Sequence, residues 1–258
     1  MKQYSCSWTL RSSTAWLLLF AMLVLAACGT AQGTAPAVTS TFQPSPSATV
    51  AIPSQPVSFL SEKGVMIQGV LYGQGTRAVI LSNEGNNESG PWLPVAQQLV
   101  QQGYVVLTYM YRDQGNTVDQ LAVHSLTDLR AAVAFMHARN VSRLVLIGAS
   151  LGALDTVKVA TVEQFDAIVV ISAPMGFQEV QLHDSELRRI PVPKLFVTSE
   201  DNQPFTHDTL HMFDATPDPK EKLVYPGTLH GMSLFDSPSG ARLLPSLLQF
   251  LQRYVPVS

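Results

Sequence analysis

Short apolar runs alternate with longer amphipathic stretches over most of the chain. The runs are rich in Val, Ile and Leu and lack polar alternation, which is typical of strands buried on both faces of a parallel sheet. They are Ala78–Ser82, Val105–Tyr109, Leu144–Ile147, Ala167–Ser172, Leu195–Thr198 and Leu223–Tyr225. An earlier pair, Val57–Phe59 and Val65–Tyr72, predicts an antiparallel hairpin that opens the sheet.

Helical patterns separate these runs. Pro94–Gln102 is followed by Gly103, a residue suited to end a helix. Ser125–Arg139 begins with a capping-box pattern and has apolar residues at helical spacing, and Arg242–Tyr254 closes the chain with a row of leucines. This alternation predicts an α/β domain whose mostly parallel sheet is covered by helices on both faces. Ligand sites in such sheets form at the carboxyl ends of the strands.

The first 28 residues have a different character. Lys2 and Arg11 precede the apolar run Ala15–Leu25, which is shorter than the roughly 20 residues of a membrane-spanning helix. The end of this run, Leu25–Cys28, resembles the lipobox of bacterial lipoproteins. The resemblance implies a signal peptide over residues 1–27, cleavage before Cys28, and a diacylglycerol (with further acylation such as palmitate) on that cysteine. An ordinary secretion signal with an unmodified cysteine is the alternative.

Between this signal and the apolar runs lies a segment rich in Ser, Thr, Ala and Pro. Residues 28–55 have too little apolar mass to fold, so we expect a flexible tether. Residues 56–258 are then a single domain. The two cysteines are Cys6 and Cys28, and cleavage removes Cys6, so we expect no disulfide within one chain.

Charge and composition exclude some classes of partner. The formal net charge is −3, which argues against nucleic acid because such binding needs a concentrated basic face. His207 and His211 are one helical turn apart, but no third ligand is evident, so we predict no metal site. We expect no cofactor, and we expect a monomer.

Candidate chemistry begins where Leu144–Ile147 runs directly into Gly148–Gly152, which reads G-x-S-x-G. A strand, a sharp turn and a helix around this motif are the context in which Ser150 becomes an exposed nucleophile. The backbone N–H of Leu151 lies at the start of that helix, where it can donate to a developing oxyanion.

A serine hydroxyl needs a base, and the base needs an orienting acid. His230 lies on the loop after the last predicted strand. Asp201 follows the strand Leu195–Thr198 after a two-residue turn, with Glu200 as the adjacent alternative. Ser150, Asp201 and His230 therefore form the predicted catalytic triad.

These motifs resemble the α/β-hydrolase family over about residue 57 to the C-terminus. The similarity is greatest to compact esterases and dienelactone hydrolases, although dienelactone hydrolases use cysteine where this chain has Ser150. The resemblance implies an α/β-hydrolase fold without a sizeable cap domain. It also implies an acyl-enzyme mechanism in which Ser150 attacks a carbonyl, His230 transfers the proton and Asp201 stabilises the imidazolium.

Two departures from the family pattern are visible. The His-Gly pair after the third strand is replaced by Asn83–Asn86, so Glu84 or Gly85 would supply the second oxyanion N–H. A carboxylate pointing inward there would oppose the oxyanion. Met110 replaces the Asp of the family's Asp-x-Arg-Gly-x-Gly stretch.

The expected function is therefore hydrolysis of a small ester, thioester or lactone outside the cytoplasm, on a domain held at the membrane through Cys28. A peptidase of the same fold remains an alternative. So does a binding or structural lipoprotein on a hydrolase scaffold, because fold does not decide substrate.

Overall fold

The computed structural model describes residues 52–112 and 117–257. The chain divides into two units, Met1–Ala48 and Thr49–Ser258, and every described residue lies in the second unit. The predicted signal peptide, the candidate lipidation site Cys28 and nearly all of the predicted tether therefore lie outside the described residues. Ser54 and Gln55, assigned above to the tether, are the first residues of a strand.

The sheet has eight strands in the order β1-β2-β4-β3-β5-β6-β9-β10. The first two strands are antiparallel to their neighbours, and the other six run parallel to one another. A separate two-stranded hairpin joins β7 to β8. The strands are β1 Ser54–Leu60, β2 Met66–Tyr72, β3 Arg77–Ser82, β4 Val105–Tyr109, β5 Arg143–Ala149, β6 Ala167–Ile171, β7 Gly176–Phe177, β8 Val180–Gln181, β9 Lys194–Ser199 and β10 Lys220–Tyr225.

Seven α-helices occur in the described part of the chain, and three short 3-10 turns accompany them. The helices are α1 Leu93–Gln101, α2 Val118–Ala122, α3 Ser125–His137, α4 Leu151–Ala160, α5 Asp184–Leu187, α6 Phe205–Ala215 and α7 Gly240–Tyr254. No helix among the described residues has both the length and the apolar character that a bilayer crossing needs.

Alternate residues of the central strands face two separate cores. In β3, Ile80 packs in a core with α3, α4 and α6, while Leu81 packs in a core with α1 and α7. Leu146 and Ile147 of β5 divide in the same way. Because successive side chains of a strand point to opposite faces, both faces of the sheet must be covered by helices. The predicted α/β architecture is confirmed.

The strand register brings the carboxyl ends of five parallel strands to one edge of the sheet. Ser82 of β3 pairs with Gly148 of β5, and Ala149 of β5 pairs with Ile171 of β6. On the far side, Tyr225 of β10 pairs with Ser199 of β9. The loops that follow these strands carry every predicted catalytic residue.

Three further features complete the fold. The region between β6 and β9 contains the β7–β8 hairpin and the four-residue helix α5, with no larger insertion. The helices α2 and α6 were not predicted as elements. Near α2, the buried carboxylate of Asp128 accepts hydrogen bonds from the backbone N–H of Arg112 at 2.8 Å and from its Nε at 2.7 Å. This ion pair holds the chain after β4 against α3.

Candidate active site

Ser150 occupies the sharp turn between β5 and α4. Its φ of +52° lies in the left-handed region, which is strained for a residue with a Cβ. Two sets of backbone hydrogen bonds hold the turn. The Ser150 N–H donates to the carbonyl of Ile171 at 2.9 Å, and the Ser150 carbonyl accepts from the N–H groups of Ala153 and Leu154. A strained backbone held on both sides is typical of a side chain placed for chemistry.

The two glycines of the motif permit this turn by close approach. A Cβ on Gly148 would overlap the carbonyl oxygen of Gly152. A Cβ on Gly152 would lie 2.6 Å from the carbonyl oxygens of Ser82 and Asn83. The N–H of Gly152 also donates to the Asn83 carbonyl at 3.1 Å, so the helix start and the loop after β3 are in direct contact.

Backbone donors are available beside Ser150. The N–H groups of Leu151, Glu84 and Gly85 have no hydrogen-bond acceptor within the described part of the chain. The loop that carries Glu84 is held by Asn83, whose side chain donates to the Tyr109 carbonyl at 2.7 Å. Free N–H groups on two adjoining loops are the arrangement that an oxyanion hole requires.

The Glu84 side chain turns toward the loop that carries His230. Its Oε1 accepts a hydrogen bond from the N–H of Met232 at 2.8 Å, and a side chain on Gly231 would overlap the same oxygen. Burial raises the pKa of Glu84, the Met232 hydrogen bond lowers it and the charge of Glu88 raises it. The carboxylate is thus engaged with the histidine loop, which it links to the loop after β3.

His230 is half-buried on the loop between β10 and α7. Its backbone N–H donates to Ser233 Oγ at 3.1 Å, and the next N–H, of Gly231, donates to Ser172 Oγ at 3.1 Å. The imidazole packs against the ring of Phe205, with 4.1 Å between ring centroids. Burial lowers the pKa of His230, which favours the neutral ring, the form that can accept a proton.

The structure brings Asn202, and not Asp201, to the imidazole. The amide Nδ2 of Asn202 lies 2.9 Å from Nδ1 of His230, and Asn202 is 8% exposed. Asp201 is exposed, and its backbone N–H donates to the Gly227 carbonyl at 2.9 Å. The adjacent alternative, Glu200, is exposed as well. The contact that the sequence predicts between Asp201 and the imidazole is thus not present in the structure, where Asn202 occupies that position.

The exposure of Asp201 and the burial of Asn202 have a local cause. The strand β9 ends at Ser199, but the N–H of Glu200 still donates to Tyr225, the last residue of β10, and that of Asp201 donates to Gly227 in the following loop. The chain turns inward only at Asn202, whose carbonyl accepts from the Thr206 N–H at 3.0 Å at the start of α6. Sequence patterns do not identify Asn202, because its amide is uncharged and its position depends on the detailed backbone of this turn.

Ser150 Oγ makes no hydrogen bond with any described residue, His230 included. Such contacts between nucleophile and base are often long in a ligand-free site and tighten when substrate binds. No group of three or more His, Cys, Asp and Glu residues suited to a metal ion occurs in the described part. His207 and His211 instead contact Asp208 and Asp184.

A cavity of about 320 Å³ lies between α2, α3 and the β7–β8 hairpin, and its lining includes Val123, Leu126 and Val180. Gln178 of the hairpin donates to Asp119 of α2 at 2.8 Å. A Cβ on Gly85 would overlap Val118 of α2, so this helix also contacts the loop of free N–H groups. The cavity is therefore bounded by elements that border the candidate site.

Solved structures of similar fold include esterases and other α/β-hydrolases. An esterase from Pyrococcus furiosus matches with a TM-score of 0.65 at 16% identity, over 79% of this chain and 93% of that chain. The esterase domain of a Rhodothermus marinus protein matches with a TM-score of 0.64 at 19% identity, over 79% and 100%. A putative dienelactone hydrolase from Klebsiella pneumoniae matches with a TM-score of 0.63 at 17% identity, over 79% and 98%.

No protein-family model matches the chain, and no curated protein matches it. At these identities the structural likeness concerns the fold. The parallel sheet, its helices on both faces and the strand-turn-helix around Ser150 agree with it. The chain has the α/β-hydrolase fold, without a large cap in the described residues.

Proposed function

We propose that the chain is a serine hydrolase that cleaves a small ester, thioester or lactone through an acyl-enzyme. One observation carries the proposal. Ser150 is held at a left-handed φ at the start of α4, between two glycines that the backbone around them requires. Backbone strain at a half-exposed serine is typical of a hydroxyl that takes part in catalysis.

The proposed reaction uses three parts of the site. His230 takes the proton of Ser150 as Oγ attacks the substrate carbonyl carbon, and the N–H groups of Leu151 and Glu84 receive the oxyanion. The N–H of Gly85 is the alternative to that of Glu84 as the second donor. The proton then goes to the leaving group or to solvent, and water activated by the same histidine releases the acid.

The contact between Glu84 and Met232 supports this use of the Glu84 N–H. Because the Met232 N–H donates to Oε1, the histidine loop partly compensates the charge of the carboxylate. The concern that this side chain opposes the oxyanion is thereby reduced.

We propose further that the domain is tethered outside the cytoplasm through a lipidated Cys28. The support is the apolar run that ends in small residues directly before Cys28, and the Ser-, Thr- and Pro-rich segment that follows. Residues 1–27 are the signal peptide in this proposal, and the tether extends to the residue before β1.

A second candidate function, a non-catalytic binding lipoprotein on a hydrolase scaffold, is favoured by one observation. The imidazole of His230 has a neutral amide as its Nδ1 partner instead of a carboxylate. An amide provides no charge to stabilise an imidazolium, so loss of selection on catalysis would produce the same arrangement.

Hydrolysis of p-nitrophenyl acetate by the full chain separates the two candidates. We expect turnover that falls by at least about a thousandfold in Ser150→Ala and in His230→Ala, because the two groups act as a unit. The exposed Ser58 and His137 provide matched controls, and Ser58→Ala and His137→Ala should retain full activity. Absence of turnover of any ester, thioester, lactone or peptide by the wild type would favour the binding protein.

A further inference from the structure

Asn202 lies at the position from which an acid would orient the catalytic base. Its side chain is buried at the turn between β9 and α6, and its amide meets Nδ1 of His230 at 2.9 Å. The backbone of Asn202 is held by the Thr206 N–H, so the side chain is placed by the helix start and not by a mobile loop. The contact is a built feature of the site.

No carboxylate of the described residues takes over this role. Glu200 and Asp201 of the same turn are exposed. Glu84, from the loop after β3, binds the Met232 N–H. From α6, the residue against the imidazole is the uncharged Phe205. Among the described residues, the side chains in contact with the imidazole, Asn202 and Phe205, are both uncharged.

A neutral amide allows two states of the imidazole, which a carboxylate does not. With Nδ2 toward the ring, as the structure has it, Nδ1 accepts a hydrogen bond and the ring proton lies on Nε2. With the amide rotated by half a turn, Oδ1 accepts from Nδ1–H and Nε2 has a free lone pair. Only the second state can take the proton of Ser150.

We propose that Asn202 is the positioning residue of His230 and, through the weak support its amide provides, restricts the enzyme to acyl compounds with good leaving groups, such as aryl esters and thioesters. This inference rests on the proposed serine hydrolase function. It identifies the class of substrate within that function.

The chemistry of the acylation step explains the restriction. As the bond from Ser150 Oγ to the acyl carbon forms, the Oγ proton moves to Nε2 of His230. An alkyl ester must then recover that proton on its leaving oxygen as the carbon–oxygen bond breaks, so its transition state depends strongly on a stabilised imidazolium. A phenolate or thiolate leaves as the anion, and the imidazolium loses its proton to water.

Asn202→Asp is the decisive variant because it is close to isosteric and adds only a charge. We expect kcat/KM for ethyl acetate to rise at least about tenfold, since carboxylate support of the base is worth up to about 10⁴-fold. The increase for p-nitrophenyl acetate should be smaller. The acid limb of the pH profile should move upward from the lowered pKa of wild-type His230, because a carboxylate favours the charged ring.

The imidazole itself provides a readout that a merely structural residue would not change. Nitrogen-15 spectra of labelled histidine should show protonation at Nε2 in a substantial part of the neutral wild-type ring, and at Nδ1 in Asn202→Asp. Asn202→Ala should lower kcat/KM for p-nitrophenyl acetate about tenfold or more, whereas Asp214→Asn, at an exposed position of α6, should change neither rate nor tautomer.

The outcomes separate the two proposals. Suppose that turnover of aryl esters depends on Ser150, but the Asn202 variants have the same leaving-group preference, pH profile and tautomer as the wild type. The inference about Asn202 is then wrong, and the hydrolase proposal stands. If no variant, Asn202→Asp included, shows activity that depends on Ser150, both proposals are overturned. Equal wild-type rates on ethyl and p-nitrophenyl acetate would also contradict the restriction.

Discussion

Asp155 of α4 is an ionisable residue in the interior. It is fully buried, and neither of its carboxylate oxygens has a hydrogen-bond partner among the described residues. The pKa of Asp155 is raised from 3.8 to about 7. Burial is the main cause, the nearby Ser125 hydroxyl lowers the pKa in part, and the charge of Asp128 raises it. An acid with a raised pKa in the folded state binds its proton more tightly than the unfolded chain does.

The stability contributed by Asp155 should therefore decrease as pH rises from about 4 to about 7. Below that window both states are protonated, and above it both are ionised, with the folded state bearing the cost of a buried charge. The difference in pKa corresponds to about 4 kcal/mol. Relative to wild type, Asp155→Asn should gain free energy of unfolding across this window, as measured by urea denaturation at a series of pH values.

Asp214 provides the control because its side chain is exposed. Asp214→Asn should keep the wild-type dependence of stability on pH. Parallel curves for wild type and Asp155→Asn would show that Asp155 is ionised without penalty, contrary to its burial.

The residues of the site differ in how far the sequence predicts them. Ser150 is recognisable because the glycines that permit its backbone lie two residues away on either side, and His230 because it lies on the loop after the last predicted strand. Asn202 could not be predicted, since its role depends on where one turn leaves the sheet and points inward. In that turn Asp201 is exposed, whereas the next residue, Asn202, is buried.

At the scale of elements, the buried strands were predictable because parallel strands covered on both faces are continuous apolar runs. The helix α6 was missed since its sequence contains alternating polar residues and only a few buried ones, including Met212. The hairpin β7–β8 has two-residue strands, too short for any periodicity. These elements form through tertiary contacts, so local pattern does not specify them.

The junction between β5 and α4 depends on the small size of Gly152. Gly152→Ala should lower the free energy of unfolding by about 1–3 kcal/mol, because its Cβ meets two backbone carbonyl oxygens that a side chain cannot displace. Urea denaturation measures the loss. Gly90 is the matched control, since a Cβ there has nothing within 4 Å. Equal stability of the two alanine variants would contradict the packing at the junction.

At the scale of the whole molecule, the region between β6 and β9 bears on the size of acyl group that the proposed hydrolase would accept. Among the described residues it contributes a two-stranded hairpin and the four-residue helix α5, with no larger insertion that could bury a long acyl chain. Each buried methylene contributes about 0.8 kcal/mol, so a long chain that stays in water gains little binding.

We therefore expect acetyl to butyryl p-nitrophenyl esters to be cleaved with higher kcat/KM than decanoyl or longer ones. There should also be no activation at a lipid interface. A steady rise of kcat/KM through the long acyl esters would reveal an apolar binding trough and contradict the account.

The proposed membrane tether has its own test in the precursor. Cys28→Ser should prevent lipid attachment and leave the chain unprocessed or released from the membrane, whereas Cys6→Ser, within the proposed signal peptide, should change neither. Mass spectrometry of the mature N-terminus decides it. A wild-type protein without lipid, or one that begins at a residue other than Cys28, would overturn the lipoprotein proposal.

The central claim is that Ser150 is an activated nucleophile. A fluorophosphonate probe tests it most directly, because such probes react with a serine hydroxyl only where a base and an oxyanion site activate it. We expect a single labelled peptide that contains Ser150, with labelling lost in Ser150→Ala and strongly slowed in His230→Ala. Labelling at another residue, or a wild-type chain that stays unlabelled while folded, would contradict it.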